Sequence, residues 1–231
     1  MCGRFAFAAP KDQNQLAFSG FIFPDDMPKR YNIAPGQPII ALANNGQKHA
    51  VAFKWGLIPS WSKDPQIGNR LINARAETLA EKPSFRSCFK RRRCLIPTTG
   101  FYEWKKQPDG KTKVPMLISL KSGQPFAFAG LWEHWGSPEG DEIDSCTIIT
   151  TEPNELMASI HNRMPVILPP EAYAAWLDPK ERRPEDLQTL LTPFPTKEMT
   201  AHAVSSLVNI PGNDSAECIA PVHQPEQGAL F

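Results

Sequence analysis

With 231 residues, 41% of them hydrophobic, the chain can bury a sizeable core, which argues against whole-chain disorder and against a fold held by disulfides. Its 25 Lys and Arg against 24 Asp and Glu leave a formal charge of +1, so contact with a polyanion would need a local basic patch. The five cysteines are widely spaced with no C-x-x-C pair, which argues against a structural zinc site. The start, MCGRFAF, lacks the layout of a secretory signal, and no apolar run is long enough to cross a bilayer. A reducing cytosol suits such a chain.

The 24 prolines are scattered along the whole sequence, which predicts short elements joined by many ordered loops. Phe5 and Phe7 alternate with Ala6 and Ala8, the pattern of a strand that fixes the N-terminus in a sheet. Asp12 to Ser19 reads as a short helix. Strands are expected at 38–42, 50–58, 94–96, 100–104, 114–120, 126–132, 146–150 and 166–168. Turn signals separate several of them, notably Asn45-Gly46, Pro108-Asp109-Gly110 and Ser122-Gly123. Pro153 suits the first turn of a helix that continues to His161, and Pro170 to Leu177 and Pro184 to Leu191 give two more. The fold class is α+β, with an antiparallel or barrel-like sheet and few short helices.

Cys2 is the most informative residue. Removal of Met1 is favoured by a small second residue and would leave Cys2 with an α-amine and a thiol on adjacent carbons. Such an aminothiol condenses with an aldehyde: the amine forms an imine, and the thiol closes a five-membered thiazolidine in an intramolecular step. It can also act as an N-terminal nucleophile. Gly3 permits a tight backbone path, and Arg4 places a permanent cation beside the terminus.

Other polar residues stand in suggestive settings. In Asn73-Ala74-Arg75-Ala76-Glu77, Asn73 and Arg75 share one side of an extended chain, a neutral amide beside a rigid fork. In Gly100-Phe101-Tyr102-Glu103-Trp104, period-two geometry puts Glu103 on the face of Phe101, opposite Tyr102 and Trp104. A carboxylate among aromatics is suited to proton transfer near neutrality. His161 follows the predicted helix in His161-Asn162-Arg163-Met164-Pro165. Trp61, past the break at Pro59, offers a surface on which bases could stack, with core packing as the alternative. The run Lys90-Arg91-Arg92-Arg93 reads either as a solvated basic face or as a phosphate-binding patch.

Taken in order, these pieces resemble the SOS response-associated peptidase (SRAP) family. The resemblance rests on Met-Cys-Gly-Arg-Phe at 1–5, Tyr-Asn-Ile-Ala-Pro at 31–35, Trp-Gly-Leu-Ile-Pro at 55–59 and Asn-Ala-Arg-Ala-Glu at 73–77. It continues through Arg-Cys-Leu-Ile-Pro at 93–97, Gly-Phe-Tyr-Glu-Trp at 100–104, Thr-Thr-Glu-Pro-Asn at 150–154 and His-Asn-Arg-Met-Pro at 161–165. The resemblance implies one domain over residues 2–212, with a curved, mostly antiparallel, barrel-like β core; the tail 213–231 is expected to be loosely ordered.

The activity implied is covalent capture of abasic sites in single-stranded DNA, including at single-strand/double-strand junctions, through a thiazolidine on Cys2. The resemblance makes Asn73, Glu103 and His161 the remaining catalytic residues. It makes Arg4, Arg75 and Thr150 DNA contacts, to which Trp61 and Lys90 to Arg93 are added as outer ones. Self-removal of Met1 and a lyase side-activity are also expected, the latter because an imine at an abasic sugar promotes β-elimination. No cofactor or metal is required by this chemistry. The chain is expected to act as a monomer in the cytoplasm, associated with DNA. Two rivals remain: a Cys–His protease built on Cys2 and His161, and a non-catalytic single-strand-binding module.

Overall fold

The structure is a computed structural model, and it describes residues 2–222. The chain begins with β1 (Phe5–Phe7) and α1 (Lys11–Ala17), then β2 (Arg30–Ile33), β3 (Pro38–Ala43), β4 (Val51–Trp55) and β5 (Asn73–Arg75). A short helix, α2 (Arg86–Arg91), leads into β6 (Arg93–Thr98), β7 (Gly100–Lys106), β8 (Lys113–Leu120), β9 (Phe126–Gly136) and β10 (Glu142–Thr151). The remainder is α3 (Glu155–Ala158), β11 (Met164–Pro165), β12 (Ile167–Leu168), α4 (Tyr173–Trp176), α5 (Pro184–Gln188) and β13 (Met199–Ala203).

These strands form a closed barrel and a flanking sheet. The barrel runs β10–β4–β3–β6–β9 and returns to β10 through the long β9–β10 hairpin. All its pairings are antiparallel except β4 with β10. Closure removes the exposed edges that an open sheet would present. Gly130 allows it to pack tightly, since a Cβ there would stand 2.8 Å from Cys94 Sγ and from Ile96 Cδ1. The second sheet has the order β13–β8–β7–β1–β2. The α+β, barrel-like reading of the sequence holds.

β1 ties the two sheets together. Phe5 packs edge-on against Trp55 at 5.2 Å and Phe128 at 5.8 Å between ring centroids, both from barrel strands. Phe5 and Phe7 join the main core, whereas Ala6 faces a smaller cluster with Tyr102, Leu117 and Val208. The alternation read from the sequence therefore describes a strand buried on both faces.

Several boundaries differ from expectation. The strand expected at 50–58 stops at Trp55, because Gly56 turns with φ +133° and its backbone lies against Gly68. The helix expected up to His161 is a single turn, Glu155–Ala158, with the Asn154 side chain accepting the Met157 N–H at its start. The segment after 212, expected to be loose, is held as far as Val222. The Asp214 carboxylate accepts the Tyr31 and Asn32 N–H groups, Cys218 is buried, and the Val222 N–H reaches the Ala203 carbonyl. The rest of the expected tail lies outside the described residues.

Candidate active site

Cys2 lies just ahead of β1, fully buried, with its Sγ 3.8 Å from the Arg4 carbonyl. That carbonyl also accepts the Tyr102 N–H at 2.9 Å, extending the β1–β7 pairing toward Cys2. Burial, and then the charge of Glu103, push the Cys2 thiol pKa well above the ordinary thiol range. The sulfur is therefore held as SH at neutral pH, and any bond it forms requires a base to take the proton.

Asn73 and Glu103 reach this residue from separate elements, and His161 stands against Glu103 from a third. Asn73 opens β5, which pairs in parallel with β10, and its Nδ2 donates to the Cys2 carbonyl at 2.8 Å. Its Oδ1 is buried with no partner among the described residues, leaving an acceptor in the site. Glu103 lies on β7 with its side chain 5% exposed, on the face of Phe101 as the alternation predicts. His161 follows α3, its N–H bonded to the Met157 carbonyl at 2.7 Å, and its Nε2 lies 4.0 Å from Glu103 Oε2.

The ring of His161 is oriented from behind. Its Nδ1 accepts the Arg163 backbone N–H at 3.1 Å, so the neutral imidazole carries its proton on Nε2, toward Glu103. Arg163 itself is pinned by a two-pronged pair with Glu77, at 2.7 and 2.9 Å, and by donation to the Thr150 carbonyl at 2.7 Å. The Arg163–Glu77 pair was not singled out from sequence, although Glu77 closes the Asn73–Glu77 motif and Arg163 stands two residues past His161. It joins the loop carrying His161 to the segment that follows Asn73.

The expected DNA contacts fall into two groups. Arg75 and Trp61 are exposed, Trp61 at 59%, and are free to meet a strand. The Trp61 loop is held firmly: Trp135 Nε1 donates to the Ser62 carbonyl at 2.7 Å, and Ser60 Oγ to Glu133 at 3.3 Å. Arg4, by contrast, donates to Asn32 Oδ1 at 2.8 Å and to the Val208 carbonyl at 2.6 Å, and its guanidinium lies 5.9 Å from the Trp104 ring centre. It braces β1 internally, and burial lowers its pKa. Thr150 is fully buried, with its hydroxyl 3.5 Å from the Ala74 carbonyl.

The basic run 90–93 is not a uniform patch. Arg93 is fully buried and donates to the carbonyls of Phe89, Lys90, Trp176, Asp178 and Lys180, so it has no surface to offer a phosphate. Burial lowers its pKa to about 10, which still leaves it protonated at neutrality. Arg92 pairs with the buried Glu133 and Arg91 with Glu181. The run looks basic in sequence, but it spans a helix end and the first residue of β6, where the chain turns inward.

A family model described as SOS response associated peptidase (SRAP) matches residues 1–211. The abasic site processing protein YoqW of Bacillus subtilis (strain 168) is 51% identical over 222 residues, covering 95% of this chain and 99% of its own. The abasic site processing protein YedK of Escherichia coli (strain K12) is 32% identical, covering 96% of this chain and 100% of its own. The abasic site processing protein HMCES of Pongo abelii is also 32% identical, covering 96% of this chain and 76% of its own. A crystal structure of a Bacteroides thetaiotaomicron protein superposes with a TM-score of 0.86 at 27% identity, covering 96% of this chain and 100% of that one. On sequence and fold together, the chain belongs to the SOS response associated peptidase (SRAP) family.

Proposed function

We propose that the chain captures abasic sites in single-stranded DNA by condensing the Cys2 aminothiol, freed by loss of Met1, with the ring-opened sugar aldehyde. The observation that carries this reading is the grouping of Asn73, which clamps the Cys2 carbonyl, with Glu103, whose charge acts on the Cys2 thiol, and His161, whose oriented ring faces Glu103, from β5, β7 and the loop after α3. The reading is supported by relatives in bacteria and vertebrates that are named abasic site processing proteins.

The chemistry follows from the side chains. Opening the sugar breaks C1′–O4′, so O4′ gains a proton and the C1′ hydroxyl loses one; Glu103 takes the hydroxyl proton and returns it to O4′, while His161 Nε2–H hydrogen-bonds the ring oxygen as its charge develops. The Cys2 amine, oriented by Asn73, adds to C1′ and the resulting carbinolamine expels water to give the imine. The sulfur then bonds to C1′ while its proton passes by way of Glu103 to the imine nitrogen, which becomes the N–H of the new ring. The balance is the aldehyde plus the aminothiol giving a thiazolidine and one water. Ring closure removes the imine that would otherwise drive β-elimination.

The test is intact-mass analysis after mixing the purified chain with an abasic oligonucleotide. The expected product has lost Met1 and gained the mass of the DNA less one water, and Cys2→Ala forms none of it. Retention of unmodified protein by both forms would refute the reading. An equal adduct from Cys2→Ala would move the chemistry to another residue.

A further inference from the structure

Two cations stand one step beyond the site residues on their own strands. In an extended strand residues two apart share a face, so Arg75 stands on the face of Asn73 along β5, and Lys105 on the face of Glu103 along β7. Arg75 is exposed and Lys105 half-buried. Lys105 also lines a cavity of about 660 Å³ with Lys106, Gln107 and His202. Met116 lines the same cavity and is the cross-strand partner of Glu103, so the cavity adjoins the site. Neither lysine is engaged in an ion pair among the described residues, and no acidic residue is among those that line the cavity.

Among the described residues the cleft is lined by two lysines without ion pairs, an amide and an imidazole, and by no carboxylate, a lining that favours an anion. Because it begins one strand from Glu103, the anion most available to it is the backbone of the substrate itself. We propose that this cleft is a phosphate-binding subsite in which Lys105 and Lys106 hold the DNA strand on one side of the lesion. The inference rests on the single-stranded DNA reading given above, and it adds a binding surface that net charge and the run at 90–93 did not reveal.

The experiment measures the salt dependence of binding to a short undamaged single strand of mixed sequence. Removing one lysine–phosphate pairing lowers the slope of log K against log salt by about 0.7 for single strands. Lys105→Gln is expected to reduce the slope by about that amount and Lys105→Gln/Lys106→Gln by about 1.4, with Lys105→Arg restoring the parent value. Lys121→Gln, an exposed lysine just past the other end of β8, serves as the control and leaves the slope unchanged. Slopes for the Lys105 and Lys106 variants equal to that of the control overturn the proposal.

Strands with the lesion at the 5′ or the 3′ end separate the two sides. One polarity is expected to keep the dependence on Lys105 and the other to lose it; equal dependence in both contradicts a one-sided cleft. A slope that falls in the variants while no chain forms a heat-stable adduct refutes the abasic-site reading and leaves the cleft standing. A normal adduct with unmoved slopes refutes the cleft alone.

Discussion

His161 Nε2 faces Glu103 Oε2 at 4.0 Å, with the other ring nitrogen engaged by the Arg163 N–H, so a proton and a carboxylate are aimed at the same small volume beside Cys2. A sugar oxygen placed between them has a donor on one side and an acceptor on the other. Glu103→Gln keeps the shape and removes the base, and is expected to slow adduct formation by roughly 10²–10⁴-fold. His161→Ala is expected to slow both formation and reversal. Single-turnover gel assays of the two directions check this, and unchanged rates in both variants would remove the acid–base assignment.

Asn73 clamps the Cys2 carbonyl through an N–H donor that an aspartate lacks. Asn73→Asp sets a carboxylate against that carbonyl, in a site that already holds Glu103. The loss expected is about 1–3 kcal/mol of alignment, or roughly 10–100-fold in the rate of adduct formation. Asn73→Ala is expected to fall between the parent and Asn73→Asp. The same single-turnover assay orders the three.

Arg163 and Glu77 couple the His161 loop to the segment after Asn73, and the Arg163 side chain is only 15% exposed. A double-mutant cycle of Arg163→Ala with Glu77→Ala, read from urea midpoints, is expected to give a coupling of about 0.5–1 kcal/mol, since Glu77 is half in solvent. Arg163→Lys is not expected to recover it, because an ammonium cannot reproduce the two-pronged contact. Additive effects of the two changes would show that the pair does no joint work.

Alkaline pH should unfold the protein early. Burial raises the pKa values of Cys2, Cys88, Cys94 and Cys146, so these thiols keep their protons when folded at a pH where the unfolded chain has released them. The corresponding stability is intact below the unfolded thiol pKa of about 9 and is lost as pH rises above it, by up to about 1.4 kcal/mol per pH unit for each thiol. Urea midpoints between about pH 8 and pH 10 would show the fall, and Cys146→Ala should flatten it by one thiol's share. A flat profile across that range would contradict it.

The parts of the site visible in the sequence were those carried by local pattern. Period two placed Glu103 with Phe101 and apart from Tyr102 and Trp104, and the structure puts Phe101 in the main core and the other two in a separate cluster. What stayed hidden depends on distant parts of the chain. Arg93 reads as one of four surface cations because its five carbonyl partners come from two separate stretches, 89–90 and 176–180. The helix Arg86–Arg91 buries only Cys88 and Phe89, too little to give a helical stripe. β5 and β13 are short and mix polar with apolar residues, so they become strands only where β10 and β8 supply partners.

Asn32 gives its amide to the carbonyls of Val208, Ile210 and Asn213 while its oxygen receives Arg4, two residues from Cys2. Asp214 completes the same brace through Arg30 and the backbone of Tyr31 and Asn32. The start of the chain is thus steadied by residues 208–214, a stretch that runs just past the 1–211 matched by the family model. A version trimmed at 211 would keep Cys2, Asn73, Glu103 and His161 yet deprive Asn32 of the Asn213 carbonyl and of the Asp214 carboxylate at its N–H. Such a version is expected to form the adduct more slowly with all four of those side chains in place.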